Sequence, residues 1–446
     1  MLRSMVSAVS GLKSHQTKMD VIGNNIANVN TVGFKSSRVT FQEIFSESLR
    51  GASAADDYGR GGTNPMQVGL GTSVASVDTI FTRGSIQRTD NITDLAIEGE
   101  GMFVLKGGNS DPYMFTRAGN FIIDEVGNLV SAGGLRVYGW QYYERQADGS
   151  YVFDTELPLE PINIYNDEHN FNKKVIAAKA TTQAVLSGNL DATNLPKGTD
   201  LSNIGQPHFS TPVIVYDSLG NEYEIRINFW KVETTTNGTD ITTRWYWTAT
   251  PGSADPVSLD SSAAAGYISF DSKGKPVQGA ELTPSIIVIP NASQGSEPME
   301  IKLNFNNLTM YADESSVMPA SVDGYKSGTL VSMSIGSDGV IMGVYSNGRR
   351  QPLGMIALAS FSNPSGLEKV GENLYLPTAN SGDFTRGYKP GTSGVGKLSP
   401  GTLEMSNVDL AKEFTEMIVT QRGFQANSRI ITASDEMLQE LVNIRR

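Results

Sequence analysis

Apolar residues recur every seven positions at both ends of the chain. Near the N-terminus they are Met5, Leu12, Met19 and Ile26, with Leu2, Val9 and Ile22 close to the same face. Near the C-terminus they are Leu410, Met417, Phe424, Ile431 and Leu438, with Phe414 and Ile418 beside them. This period is typical of an amphipathic helix with a narrow apolar seam that packs against one partner helix.

The two seams leave two arrangements of the chain ends open. In one the helices pair with each other and bring the termini together; in the other each helix packs separately on a globular body. Gly, Asn and Thr cluster in GNNIANVNTVGF (residues 23–34) and end the first helix. Ser406 or Asn407 can cap the start of the second helix. Heptads this short do not decide between the two arrangements.

Between the helices the pattern changes to β. Apolar and polar residues alternate over residues 223–229, which predicts a strand with one buried face. Turn signals recur at DEVGN (124–128), DSLGN (217–221), DSKGK (271–275), Asp338-Gly339 and Asn347-Gly348. The predicted fold is therefore mostly β with paired terminal α-helices, in which inner and outer antiparallel β domains nest between coiled-coil termini.

This nesting predicts four domains. They are a terminal coiled-coil domain of residues 1–30 and 406–446, a connecting arm and loop region of residues 31–71 and 376–405, an inner β domain of residues 72–179 and 309–375, and an outer β domain of residues 180–308. Residues 45–71 show little periodicity and many Gly, Ser and Asp residues. We expect this segment to be either a disordered linker or an extended arm that becomes ordered against a neighbour.

Composition and charge exclude several kinds of chemistry. The 446-residue chain has a formal net charge of −12, which disfavours nucleic acid as a partner. It contains no cysteine, so disulfides, thiolate metal sites and cysteine nucleophiles are excluded. The N-terminus lacks the continuous apolar region of a secretory signal peptide, and no stretch has the apolar length of a membrane span. We expect no membrane insertion.

One motif raises the question of an enzyme. GTSGVGKLS (391–399) has the glycine and lysine spacing of a phosphate-binding loop. Leu398 stands where such a loop needs Ser or Thr, and Pro400 and Gly401 oppose a helix at that point. His15, His169 and His208 are scattered and form no paired metal motif. We therefore expect no catalytic residues, no cofactor and no metal site, and we interpret 391–399 as a flexible loop.

Polar residues near both ends carry a resemblance to a known family. SGLKSHQTKMDVIGNNIANVNTVGFK (10–35) resembles the N-terminal signature of the flagellar rod and hook proteins, and 406–444 is similar to their C-terminal signature. DLAIEGEGMFVL (94–105) and FTRAGNFIIDEVGNLV (115–130) resemble the inner β domain of that family. The signature residues near the N-terminus are Gly23, Asn24, Asn25, Asn28, Asn30, Gly33 and Phe34.

The resemblance implies a structural role. Subunits of this family leave the cell through the flagellar type III export apparatus and polymerise into a tube. The chain length and the large insert favour a hook subunit, which forms a curved universal joint between rod and filament, over a distal rod subunit. Implied partners are other copies of the chain, the rod, the hook cap and the hook–filament junction proteins, at the extracellular, basal-body-associated part of the flagellum.

Three further expectations follow from this resemblance. The expected subunit-interface residues on the terminal helices are Met5, Val9, Leu12, Met19, Ile26, Leu410, Phe414, Met417, Phe424, Ile431 and Leu438. The loop at 391–399 would be a flexible joint that differs among subunit positions. The terminal helices, marginal alone in water, would be disordered in the monomer and fold on assembly.

Overall fold

The computed structural model describes residues 2–53, 61–108, 110–146, 149–169, 171–198, 205–237, 240–252, 258–260, 264–277, 279–290, 295–392 and 394–444. The chain forms two compact units. The terminal unit comprises Met1–Phe171, Met333–Gly343 and Gln351–Arg446. The inserted unit comprises Asn172–Ser332 and Val344–Arg350. The four-domain division stays a prediction, since these two units divide the chain more coarsely.

Two long helices lie at the ends of the chain and pack against each other. They are α1 (Leu2–Ala27) and α2 (Leu410–Ile444). Lys18 forms an ion pair with Glu416 at 3.2 Å, while Gly11, earlier in α1, lies against Asn427, later in α2. The helices are therefore antiparallel, and the expectation that the two ends pair is confirmed.

The rest of the chain is mostly β. The first strands are β1 (Ser37–Glu43), β2 (Ser46–Arg50), β3 (Met66–Gly69), β4 (Thr72–Thr79), β5 (Ile86–Arg88), β6 (Leu95–Glu98), β7 (Met102–Lys106), β8 (Met114–Thr116), β9 (Phe121–Ile123), β10 (Leu129–Ser131), β11 (Arg136–Trp140), β12 (Tyr143–Arg145), β13 (Tyr151–Phe153), β14 (Glu160–Pro161), β15 (Asn166–Asp167) and β16 (Phe171–Asn172). They are followed by β17 (Val175–Ile176), β18 (Gln183–Asn189), β19 (Phe209–Tyr216), β20 (Glu222–Asn237), β21 (Asp240–Pro251), β22 (Ser258–Leu259), β23 (Ala265–Phe270), β24 (Ser285–Ile289), β25 (Met299–Thr309) and β26 (Met318–Val322). The last strands are β27 (Gly328–Ile335), β28 (Val340–Tyr345), β29 (Arg350–Ile356), β30 (Leu358–Ala359), β31 (Glu368–Gly371), β32 (Leu374–Leu376), β33 (Lys397–Pro400) and β34 (Thr402–Glu404). Short 3₁₀ helices span Ala280–Leu282 and Pro364–Gly366.

The core of the terminal unit forms around β7. This strand pairs with β8 on one side and β11 on the other, and β32 and β31 continue the sheet beyond β8. Four consecutive residues of β7, 102–105, are buried, which explains why its sequence MFVL shows no alternation. The ring of Phe103 meets that of Phe121 edge to face at 4.9 Å. Buried aromatic contacts of this kind favour a single packing arrangement of the core.

The segment 45–71 forms a two-stranded ribbon in its described part. β2 pairs antiparallel with β3, and a bridge joins Ser53 to Thr63; residues 54–60 lie outside the described residues. Glu47 is paired with Val68, so Val68 and Met66 share one face of the ribbon with Glu47, and the register shifts at the neighbouring Leu49. The side chains of Leu49, Met66 and Val68 are exposed. Ordering of this arm against a neighbouring copy stays a prediction.

The inserted unit is a two-sheet β structure. One sheet has the order β22-β24-β25-β18-β26 and the other β19-β20-β21-β23, and their inner faces share one apolar core. The alternation predicted over residues 223–229 is confirmed, since Ile225, Ile227 and Phe229 are buried and β20 pairs with β19 across the predicted turn. β18 and β25 pair parallel, which differs from the antiparallel arrangement predicted. The long intervening segment supplies the crossover that parallel strands need.

The stretch 391–399 ends in a strand rather than in a helix. Lys397–Pro400 forms strand β33, which pairs with β6 and begins where a phosphate-binding loop would need a helix. The N–H of Gly391 donates to the carbonyl of Gly396 at 2.9 Å, and Val395 and Leu398 are buried. The buried apolar positions and the paired strand hold the end of this glycine-rich segment to the sheet, and its flexibility among subunit positions stays a prediction.

Candidate functional site

The contact between the two terminal helices is made largely by small and polar residues. A Cβ atom added to Gly11 would lie 2.6 Å from Asn427, and one added to Gly423 would lie 2.8 Å from the ring of His15. Thr420 is buried at the same contact face, although no apolar heptad position contains it. Small residues let the helix axes approach closely at these points.

Charged groups complete this helix contact. Besides the Lys18–Glu416 ion pair, the Glu413 carboxylate hydrogen-bonds the side chain of Asn25. Burial, together with the nearby Glu416 carboxylate, raises the pKa of Glu413. The α1–α2 contact is thus a polar seam as well as a close one.

The apolar side chains predicted for subunit contacts are only partly covered in the single chain. Phe414 is 50% exposed, Ile418 59% and Val419 62%, which are large fractions for apolar residues on a helix. Among the predicted interface residues, Val9, Leu410, Phe414 and Phe424 are exposed, and Met5, Leu12, Met19, Ile26, Met417, Ile431 and Leu438 are half-buried. Exposed apolar side chains on a helix are candidates for contact with another molecule.

A buried triad of charges joins the chain after α1, the chain before α2 and the β core. The Glu404 carboxylate accepts hydrogen bonds from Lys35 Nζ at 2.8 Å and from Arg117 Nε at 2.7 Å. The side chains of Lys35, Glu404 and Arg117 are 1%, 2% and 6% exposed. Lys35 follows the first helix, Glu404 precedes the second, and Arg117 lies just after β8. One carboxylate therefore ties both helix roots to the sheet.

The triad is stabilised by its own electrostatics. Burial by itself would raise the pKa of Glu404, but the positive charges of Arg117 and Lys35 outweigh burial and lower it. Burial lowers the pKa of Lys35, and Glu404 opposes that shift. Arg117 also donates to the carbonyls of Ile97, Gly99 and Gly101, so its guanidinium holds the β6–β7 turn as well. Breaking one partner would leave buried charge unpaired.

Further hydrogen bonds fix the helix roots around the triad. Asn407 accepts from the Ser36 N–H at 2.8 Å and donates to the Ile80 carbonyl at 2.8 Å. Asn407 is therefore not the cap of α2. That cap is Asp409, whose side chain accepts the N–H groups of Ala411 at 2.9 Å and of Lys412 at 3.3 Å. Ser406 instead accepts the N–H of Val408, before the helix begins.

Several signature residues belong to this junction. Asn25 is 1% exposed, and its side-chain amide donates to and accepts from the backbone of Ser37. The N–H of Gly33 donates to the Glu404 carbonyl, and its φ of +69° favours glycine. Phe34 is buried beneath the ammonium of Lys369. The remaining signature residues lie outside the triad, with Asn24 and Asn28 hydrogen-bonded to each other and Gly23 and Asn30 exposed.

Sequence reasoning missed the triad itself. Lys35 ends the quoted N-terminal signature, and Arg117 lies in the quoted stretch FTRAGNF. Glu404 precedes the C-terminal signature. No local pattern singled out these three charges, because Lys35 and Arg117 are 369 and 287 residues away from Glu404 in the sequence.

A cavity of about 570 Å³ lies beside the triad. Lys35 and Arg117 line it together with Arg83 and with apolar side chains that include Phe81, Met102 and Phe361. In the described part of the chain, no cluster of three or more His, Cys, Asp or Glu residues is arranged to hold a metal ion. No helix among the described residues is long and apolar enough to cross a membrane.

Helices at opposite ends of one chain, paired and tied through a shared triad to a β core, define a class of axial, multi-domain structural subunits. Four family models match parts of this chain. They are described as "Flagella basal body rod protein" (residues 5–35), "Flagellar hook protein FlgE/F/G D1 domain" (96–178), "Flagellar basal body protein FlaE D2 domain" (189–325) and "Flagellar basal body rod FlgEFG protein C-terminal" (399–444). Together they cover both helices and most of the β regions.

Full-length relatives identify the family. The chain is 40% identical to flagellar hook protein FlgE of Borreliella burgdorferi and 38% identical to FlgE of Treponema pallidum, over 100% of each chain in both cases. It is 32% identical, again over 100% of each chain, to a Bacillus subtilis protein named flagellar basal-body rod protein FlgG. The chain belongs to the flagellar hook protein FlgE family.

Proposed function

We propose that the chain is the structural subunit of the bacterial flagellar hook. Copies polymerise into a short curved tube that acts as a universal joint and carries torque from rod to filament. The terminal helices form the inner layer of the tube, and the β units form its outer layers. The observation that carries this proposal is the uncovered apolar face of a helix pair whose roots are locked to the β core.

The two parts of that observation support different parts of the function. The exposed apolar side chains of α1 and α2 offer a surface that neighbouring copies can cover. The Lys35–Glu404–Arg117 triad makes both helix roots move with the sheet, so force applied to the helices reaches the β core. A torque-transmitting subunit needs both a surface for neighbours and a stiff internal connection.

Polymerisation of the purified full chain tests this proposal. Phe414→Asp places a charge on the exposed apolar face of α2, and Gln421→Asp places the same charge at an exposed polar position of that helix. Covering a side chain such as Phe contributes roughly 1.5–3 kcal/mol, so Phe414→Asp should raise the critical concentration about tenfold or more. Sedimentation and electron microscopy measure it. Equal critical concentrations for both variants would contradict the proposed helix contact.

A distal rod subunit is the second candidate. The expectation that a rod protein is much shorter and lacks the insert is weakened, since the rod-named relative matches over its full length. Hook proteins nevertheless show the higher identities among the relatives described. Gold-labelled antibody against residues 180–308 on native flagella separates the candidates. Gold on the curved segment between envelope and filament supports the hook, and gold confined to the straight rod supports the alternative.

The other partners follow from the same proposal. Rod, hook cap and hook–filament junction proteins would contact the ends of the tube, and the type III export apparatus would deliver the subunits. Deleting the export apparatus should leave the chain inside the cell. Appearance of the chain outside such cells would contradict this route.

A further inference from the structure

The turn between β9 and β10 presents an acidic and an apolar side chain on a rigid support. We call Glu125 and Val126 the stud. Val126 is 66% exposed, Glu125 is exposed, and Glu125 forms no ion pair within the described residues. The stud belongs to the turn motif DEVGN, which neither the triad nor the helix contact uses.

Hydrogen bonds hold the stud in one conformation. Asp124 accepts from the N–H of Asn128 at 2.7 Å and from its side-chain amide at 2.8 Å. The N–H of Gly127 donates to the Asp124 carbonyl at 3.1 Å, and the N–H of Ile164 donates to the Gly127 carbonyl at 2.8 Å. A side chain presented on a fixed turn loses little conformational freedom when it binds, which favours contact formation.

The cavity beside the triad has complementary chemistry. We call it the socket. Its buried wall holds two cations, Lys35 and Arg117, against the single carboxylate of Glu404, which leaves one excess positive charge away from water. The backbone carbonyls around Arg117 satisfy its N–H groups but add no anion. Arg83, exposed at the socket and in no ion pair within the described residues, adds a positive charge, and Glu100, which also lines the socket, adds a negative one, so the excess of one positive charge remains.

The socket is also apolar. Phe81, Met102 and Phe361 line it beside the cations, and its volume of about 570 Å³ is in the range of sites that bind a small group of side chains or a ligand. A carboxylate next to an apolar side chain could contact the cations and the apolar residues of the socket at the same time. In a chain with a formal net charge of −12, this positive, apolar cavity is a specific place for an acidic partner surface.

We propose that the stud of one copy enters the socket of a neighbouring copy, with Glu125 facing Arg83 and the buried cations and Val126 facing the apolar wall. This inference rests on the proposed polymer. The stud residues are not among those lining the socket, so each copy gives one contact and receives another. Such a heterologous contact generates an open helical assembly, which a tube requires.

Disulfide trapping tests the contact, because the chain has no cysteine of its own. Val126→Cys combined with Ser360→Cys, which lines the socket, should give a ladder of covalent multimers in assembled tubes under mild oxidation. Each single-cysteine variant should give no ladder. The matched control is Leu219→Cys with Ser360→Cys, since Leu219 is 58% exposed on the similar turn DSLGN but has Ser218 in place of the acidic residue.

Charge exchange provides a second measurement that does not depend on cysteine chemistry. Glu125→Lys and Arg83→Glu should each slow polymerisation about tenfold, and the double variant should recover most of the rate. Titration of the monomer with benzoate addresses the other source of a carboxylate. Saturable, tight benzoate binding at the socket would overturn the proposal in favour of a free ligand.

The outcomes separate this inference from the proposed function. Tubes that form normally without a ladder from the Val126–Ser360 cysteine pair, or without rescue by the charge exchange, overturn the stud and socket and leave the hook subunit standing. A wild-type chain that forms no tubes overturns both. A ladder and a rescue, with neither in the controls, support the contact.

Discussion

Replacing Glu404 by Gln should destabilise the terminal unit strongly. The substitution keeps the shape of the side chain but removes the only anion of the triad, and leaves Lys35 and Arg117 as like charges 1% and 6% exposed. Removing one partner of a buried ion pair costs roughly 3–5 kcal/mol. Because a typical domain is stable by only about 5–15 kcal/mol, this loss is a large share of the total.

The assay must report on the terminal unit alone. Hydrogen–deuterium exchange of β5, β6, β33 and β34 meets this need, since these strands surround Glu404 and their free energy of opening is measured strand by strand. The matched control is Asp90→Asn. Asp90 pairs with Arg88 at 2.5 Å, but the two side chains are 73% and 80% exposed, so the change should stay within about 1 kcal/mol.

The effect should also depend on pH in a defined direction. The pKa of Glu404 is lowered in the folded chain, so its stabilisation is present above the pKa of an unfolded glutamate and is lost as pH falls through the folded value. The gap between wild type and Glu404→Gln should therefore narrow in acid. Equal exchange in the Glu404→Gln and Asp90→Asn variants at neutral pH would refute the reasoning about the triad.

Three further predictions concern other parts of the chain. Hydrogen bonds from Thr182, Gln183 and Lys179 outweigh the effect of burial and lower the pKa of Asp323 to about 2. Asp323 should therefore stabilise the inserted unit above pH 4, and this stabilisation should disappear as pH falls towards 2. Urea titrations of Asp323→Asn should show no such stabilisation. Gly23→Ala should stabilise α1 by about 1 kcal/mol, whereas Gly423→Ala should stabilise α2 by less, because only the Cβ at position 423 meets a neighbour, the ring of His15, which must move. Exchange of the helix amides distinguishes the two, and equal effects would contradict the close contact. Limited proteolysis of the monomer should cut the terminal helices before the β units, and ends as resistant as the sheets would count against helices that are completed by assembly.

The heptad pattern predicted the helices and their pairing but not the face through which they pair. Large apolar residues every seven positions indicated a seam, yet the contact within one chain is made at Gly11, Thr420 and Gly423. Hydrophobic periodicity cannot distinguish an apolar face that is buried within a chain from one that copies of the chain cover. Both kinds of face have the same pattern of apolar residues in the sequence.

The β strands were predictable where one face of the strand is exposed to solvent and the other is buried. Alternation identified β20, and the DSLGN turn (217–221) identified its hairpin with β19. The junction was not predictable, since Lys35 and Glu404 are distant in the chain and nothing local shows that they meet. The strand that begins at Lys397 was missed for the same reason, because its partner is β6, roughly three hundred residues earlier.

The ion pair between Lys35 and Glu404 closes a loop of 369 residues. The segment Asn172–Ser332 of the inserted unit lies between the two partners in the sequence, so the bond cannot form until residues on both sides of that segment are present. The loss of chain entropy on such a closure grows slowly with length, but long-range contacts slow folding. The triad therefore makes folding of the terminal unit depend on residues that precede and follow the inserted segment in the sequence.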